Sequence, residues 1–170
     1  IVSLNNDVVL IGQDGWADGR YGDFKTSNVA LNDSRLIGDL FQAKIISKFK
    51  LLEVMQQFAD RDANQLKIDL ELALSKLKPK QIIVSIHVPP FKEASLFQGL
   101  QSDDRFQPFF SSKVSGDILL DVASKYKDVE FLVLCGHTHH KAEYQPLDNL
   151  KIKVGHAEYY NPQVCREINI

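Results

Sequence analysis

The 170 residues suit one ordinary domain, or a piece of one, and are too few for two of typical size. Hydrophobic residues at 44% and charged residues at 25% lie near the globular average, which argues against disorder, fibrous repeats and membrane spans. With 20 Lys and Arg against 22 Asp and Glu, the chain has no basic field to draw in nucleic acid or anionic lipid.

Cys135 and Cys165 are too few for a disulfide framework, and Cys135 ends an apolar run where a thiol serves as small core filler. A reducing, cytoplasmic setting is the expectation. The chain opens Ile1-Val2-Ser3-Leu4, with no initiating methionine and no charged leader followed by an apolar stretch, so the natural start is expected upstream.

Val8-Val9-Leu10-Ile11 is a short β-branched run stopped by Gly12 and predicts a buried strand. A Gly- and Asp-rich loop, Gln13 to Asn28, follows and predicts no regular structure. From Ile37, the apolar positions Phe41, Ile45, Phe49, Leu52 and Met55 recur every three or four residues and predict the buried face of one long helix, with Asp33 or Ser34 as its cap. Leu66 to Leu77 fits either period. Its Leu, Ala, Glu and Lys content and the stop at Pro79 select helix.

Ile82 to Ile86 is the next buried strand, ended by Pro89 and Pro90. The long irregular stretch Phe91 to Ser115 then has the length of a functional loop. A helix from Ser115 to about Tyr126 leads into the strand Phe131 to Cys135. Alternation in Ile152 to Val154 and Val164 to Ile168 predicts short strands of a closing antiparallel layer. Helices alternating with buried strands make this an α/β chain with ligands bound beyond the strand ends.

Two such ends carry histidines: His87 after one strand, His137 and His139 after another. Side chains two apart in an extended loop share a side, so His137 and His139 can reach one metal or two close ones, with Gly136 turning the backbone. His140 points the other way and reads as a rim residue; His156 has no partner motif. The loop Asp14-Gly15-Trp16-Ala17-Asp18-Gly19-Arg20 is not a calcium loop, because Trp16 and Lys25 stand where oxygen ligands are needed. Asn32-Asp33-Ser34 matches a glycosylation sequon but coincides with the expected helix cap.

Ser85-Ile86-His87-Val88-Pro89-Pro90 and Leu134-Cys135-Gly136-His137-Thr138-His139, in this order and each after a strand, resemble the calcineurin-like metallophosphoesterase family. The resemblance implies a two-layer β-sandwich flanked by helices, of which residues 1–170 are the C-terminal half. It also implies a dinuclear centre of manganese, iron or zinc, with His87 and His137 on one metal and His139 on the other. Two metals about 3.5–4 Å apart would grip a phosphate and lower the pKa of a bridging water for in-line attack.

The family's Asp-any-His, Gly-Asp-any-any-Asp and Gly-Asn-His-Asp/Glu blocks, which precede the first strand, are absent from this sequence. With them go the bridging carboxylate and the general-acid histidine, expected upstream of Ile1. Three imidazoles neither fill two coordination shells nor balance two divalent ions. In the resembled fold, the Asp14–Arg20 loop lies just beyond the missing blocks. There Arg20 can meet a substrate phosphate with a bidentate fork, with Asp14 and Asp18 in the same substrate-binding loop and Trp16 as a wall; a Gly/Asp turn cluster holding an Arg–Asp pair explains the residues equally.

The resulting expectation is a metal-dependent hydrolase of small phosphoesters that needs the missing half of its own domain and has no membrane or nucleic-acid partner. Two other readings stay open: a non-catalytic scaffold of the same fold, and a mononuclear zinc site held by His87, His137 and His139.

Overall fold

A computed structural model describes all residues, 1–170. Its centre is a six-stranded mixed sheet with strand order β1-β2-β3-β6-β8-β7. The four inner strands, β2 (Val8–Gly12), β3 (Gln81–Ser85), β6 (Glu130–Cys135) and β8 (Leu150–Val154), run parallel. The edges, β1 (Val2–Ser3) and β7 (Ala142–Leu147), run antiparallel to their neighbours. β-branched and aromatic residues dominate the inner strands, as a pleated, doubly flanked surface favours.

One sheet face carries Val9, Ile11, Ile82, Val84, Phe131, Val133 and Ile152 into a core of 20 buried residues. Two helices cover it: α3 (Lys48–Lys76), through Leu66, Leu70, Ala73 and Leu74, and α5 (Lys113–Lys125), through Leu119, Val122 and Ala123. The opposite face holds a much smaller cluster, Val8, Ile83 and Leu132, with Leu10, Leu134 and Ile168 packed on it. No helix is long and apolar enough to cross a membrane.

The helix expected from Ile37 is divided. A single turn, α1 (Asp33–Leu36), precedes α2 (Gly38–Ile46), and α3 starts after a break at Ser47, whose backbone is fully extended. The Ser47 side chain accepts from the Lys50 amide at 3.0 Å, capping α3. Neither expected cap operates: Ser34 Oγ donates to the Leu31 carbonyl, and α1 begins after Asn32 without a side-chain cap.

The break also changes which residues face inward. Leu40 and Ala43 of α2 and Leu51 and Met55 of α3 are buried, whereas Phe41, Ile45 and Phe49 are exposed by 42%, 64% and 74%. From Lys48 onward the helix then runs unbroken through 29 residues, absorbing the Leu66 to Leu77 segment.

The closing antiparallel layer does not form. β8 slots between β6 and β7 and is parallel to β6. Residues 164–168 form no strand; they are held instead by Arg166, which pairs with Glu143 at 2.8 Å, and by Ile168, packed on the small cluster. This chain therefore builds one large sheet plus a two-stranded hairpin, β4 (Leu96–Phe97) and β5 (Leu100–Gln101). That hairpin, a 3-10 turn at Lys92–Ala94 and the short helix α4 (Gln107–Phe110) occupy the stretch predicted to be irregular.

Candidate functional site

β3 and β6 are adjacent parallel strands, so His87 and the Gly136–His139 run leave the sheet side by side at its carboxyl end. Main-chain bonds continue past the strand ends. The Gln13 amide donates to the Ser85 carbonyl at 3.0 Å, Ile86 to Leu134 at 3.0 Å, His87 to Asp14 at 2.8 Å and Gly136 to His87 at 3.0 Å. These bonds lock the loops after β2, β3 and β6 together.

The turn itself is strained. His137 and His139 both have positive φ, 64° and 59°, a region that costs an L residue roughly 1–2 kcal/mol. The Thr138 amide donates back to the Gly136 carbonyl at 2.7 Å, closing a γ-turn on His137, a rare geometry for a residue with positive φ. Left-handed backbone held by its surroundings is a feature that concentrates at functional sites.

His87 Nε2 lies 2.9 Å from His137 Nδ1, and the rings meet nearly edge to face, with centroids 4.8 Å apart. The far nitrogen of His137, Nε2, is 2.8 Å from the Phe109 carbonyl. A carbonyl only accepts, so His137 carries its proton on Nε2. Nδ1 is then a bare lone pair that accepts from His87 Nε2–H. Burial holds the pKa of both imidazoles below the usual histidine value, and nearby His139 adds to this, while Asp33 pulls the other way. Both histidines are therefore neutral near pH 7, the form a metal binds.

With the His87 proton moved from Nε2 to Nδ1, the facing nitrogens of the pair would offer a cation two neutral imidazole donors. The Phe109 carbonyl supplies the acceptor that metal-bound histidines commonly use on their other nitrogen. No group of three His, Cys, Asp or Glu side chains converges here. His139 is near enough to affect both rings electrostatically, but its own ring packs on Tyr159 with centroids 4.9 Å apart. His140 turns aside, with Nδ1 2.9 Å from the Thr138 carbonyl, and His156 lies 3.9 Å from Glu158.

The Asp14–Arg20 loop divides its residues between two tasks. Asp14 stands beside His87: its carbonyl receives the His87 amide, and its carboxylate favours the His87 imidazolium. Trp16 is a wall of the pair, 6.4 Å from His137 between ring centroids. Asp18 is fully buried and binds the Val114 amide at 2.9 Å and Arg20 at 3.1 Å. Arg20 in turn reaches Asp60 of α3 at 2.8 Å, so its guanidinium bridges two carboxylates.

Three contributors to the site were not legible as such: Asp33, which stood out only as a helix cap, Tyr159, and the Phe109 carbonyl. The last is a main-chain group and leaves no residue-type signal, although the Phe109-Phe110 pair within a long loop was a visible apolar feature. Phe110 meets the His137 ring at 89° with centroids 5.5 Å apart. Compared with protein-family models and with curated proteins, the chain has no match in either.

Proposed function

We propose that this chain is the C-terminal, histidine-bearing part of a metal-dependent phosphoester hydrolase of the calcineurin-like type, with His87 and His137 on one metal and His139 on a second. The observation that carries the reading is the 2.9 Å approach of His87 Nε2 to His137 Nδ1, at the ends of adjacent parallel strands and in the family's motif order. Two divalent ions of manganese, iron or zinc would supply electrophilic stabilisation of the phosphate and an activated water.

This chain's own share is narrower. His87 and His137 donate neutral nitrogen ligands, the Phe109 carbonyl fixes the tautomer of His137, and Trp16 and Phe110 exclude water from its ring. The sheet face opposite α3 and α5, where only Val8, Ile83 and Leu132 form a buried cluster, is where the second sheet of the resembled sandwich, built from residues upstream of Ile1, would pack. Those residues would also bring the carboxylates that two divalent ions require. Arg20 is spent on Asp18 and Asp60, so the loop contributes rigidity rather than a phosphate clamp. The packing of His139 on Tyr159 favours this split donor set over a three-histidine zinc site.

The test uses the protein extended upstream of Ile1, assayed with manganese on 4-nitrophenyl phosphate and bis(4-nitrophenyl) phosphate. Hydrolysis that needs metal and is lost in His137→Ala is the expected result. Equal hydrolysis by wild type, His137→Ala and His139→Ala would sink the reading, and binding without turnover in wild type would mark a scaffold.

A further inference from the structure

Near the histidine pair lies a cavity of about 380 Å³, between the β4–β5 hairpin and α4. Its walls include Phe97, Leu100, Phe106 and Phe110, with Gln101 and Ser102 among its polar lining. This volume falls within the range of small-molecule sites, about 300–1,000 Å³, which pair apolar walls with a few polar groups. The hairpin that frames it turns tightly through Gln98 and Gly99, both with positive φ, and so holds Phe97 and Leu100 opposite each other as register partners.

Two ring contacts join this cavity to the candidate centre. Phe110 lines it and also meets His137 edge-on. Phe97 lines it and packs on His140, with centroids 4.8 Å apart. Both contacts end on the Gly136–His140 run, so the cavity lies one ring away from the proposed metal ligands.

Leaving Phe97 and Leu100 exposed by 54% and 75% in a short hairpin is unfavourable unless something apolar covers them. The Phe106 and Phe110 rings are tilted by 38° with centroids 5.4 Å apart, and with Phe97 they give the cavity three aromatic walls whose faces and edges suit a further ring. The one acidic residue in the lining, Asp103, is paired with Arg105 at 2.8 Å, so it presents no free charge to an apolar guest.

We infer that this cavity is the subsite for an aromatic ring carried by the alcohol half of the phosphoester, an assignment that rests on the hydrolase reading for its substrate but not for its ring-binding property. The test is therefore made without metal or turnover. Binding of 2-naphthol to the full-length, metal-free protein is followed by the fluorescence of the naphthol. Phe97→Ser and Phe106→Ser should each weaken it about tenfold, Phe97→Tyr should restore it, and 1-octanol should compete poorly.

Absence of naphthol binding, unchanged affinity in Phe97→Ser, or displacement by 1-octanol at lower concentration than by naphthol itself would each overturn the assignment. Because Phe97 is half exposed, its replacement leaves the core intact. Metal-dependent hydrolysis is measured separately, so a failed hydrolase reading and a failed ring subsite give different results.

Discussion

Asp18 caps a helix that begins 95 residues later: its Oδ2 accepts from the amide of Val114, in the first turn of α5, at 2.9 Å. Ser112, the local N-cap residue, makes no side-chain cap bond. The loop after β2 is thereby tied to the helix that covers the core.

Replacing Asp18 should therefore act on stability first. Asp18→Ala removes the cap, and it also leaves Arg20 with Asp60 alone. A loss of about 2–4 kcal/mol is expected from a buried, multiply bonded carboxylate, read as a lower urea midpoint. An unchanged midpoint would show that the contact is idle.

Gly116 should reverse the usual helix preference. Alanine normally stabilises a helix interior over glycine by about 1 kcal/mol. Here a Cβ would lie 2.3 Å from the Pro90 carbonyl and 3.0 Å from the Phe91 ring, so Gly116→Ala should destabilise by about 1–3 kcal/mol. Thermal melting of the variant reads the sign directly.

Asn149 is buried, and its side-chain amide nitrogen lies within 3.0–3.1 Å of the carbonyls of Ala123, Tyr126 and Val129. It thus satisfies the carboxyl end of α5 and the turn into β6. Asn149→Ala should cost about 1–3 kcal/mol, and amide exchange should accelerate first in Val122 to Glu130.

Stability should fall on acidification. Burial lowers the folded-state pKa of His87 and His137 below the ordinary 6.5, so between the two values the unfolded chain binds more protons. The stabilisation is complete above about pH 6.5 and is lost as pH drops through the folded values. The slope is at most about 1.4 kcal/mol per pH unit for each histidine, and less for the half-exposed His87, where solvent screens the effect. Urea midpoints of the metal-free protein measure it; a His137→Gln variant should have a flatter profile.

Much of the frame was legible because its signals are local. Val8 to Ile11, Ile82 to Ile86 and Phe131 to Cys135 announce themselves as apolar β-branched runs, and the placement of His87 and His137 each just after a strand follows from that order, whereas the pairing of those two strands is visible only in the sheet. What escaped depends on partners distant in sequence. Periodicity alone assigned Phe41, Ile45 and Phe49 to a buried face, since it cannot register the extended backbone at Ser47 that rotates α3 against α2. Alternation in Val164 to Ile168 had no way to show that Arg166 would be claimed by Glu143. Arg20 read equally well as a phosphate ligand or an ion-pair partner until Asp60, 40 residues away, came alongside.

The main-chain bond from Gly136 to the His87 carbonyl bears on how a cation would enter. Since the two imidazole-bearing loops are stitched to each other by the backbone, the entropy of bringing the ligands together is already spent when the sheet forms. Loading the pair would then require only that the His87 proton move from Nε2 to Nδ1, freeing a second neutral lone pair beside that of His137, and circular dichroism should register no change in secondary structure as it happens.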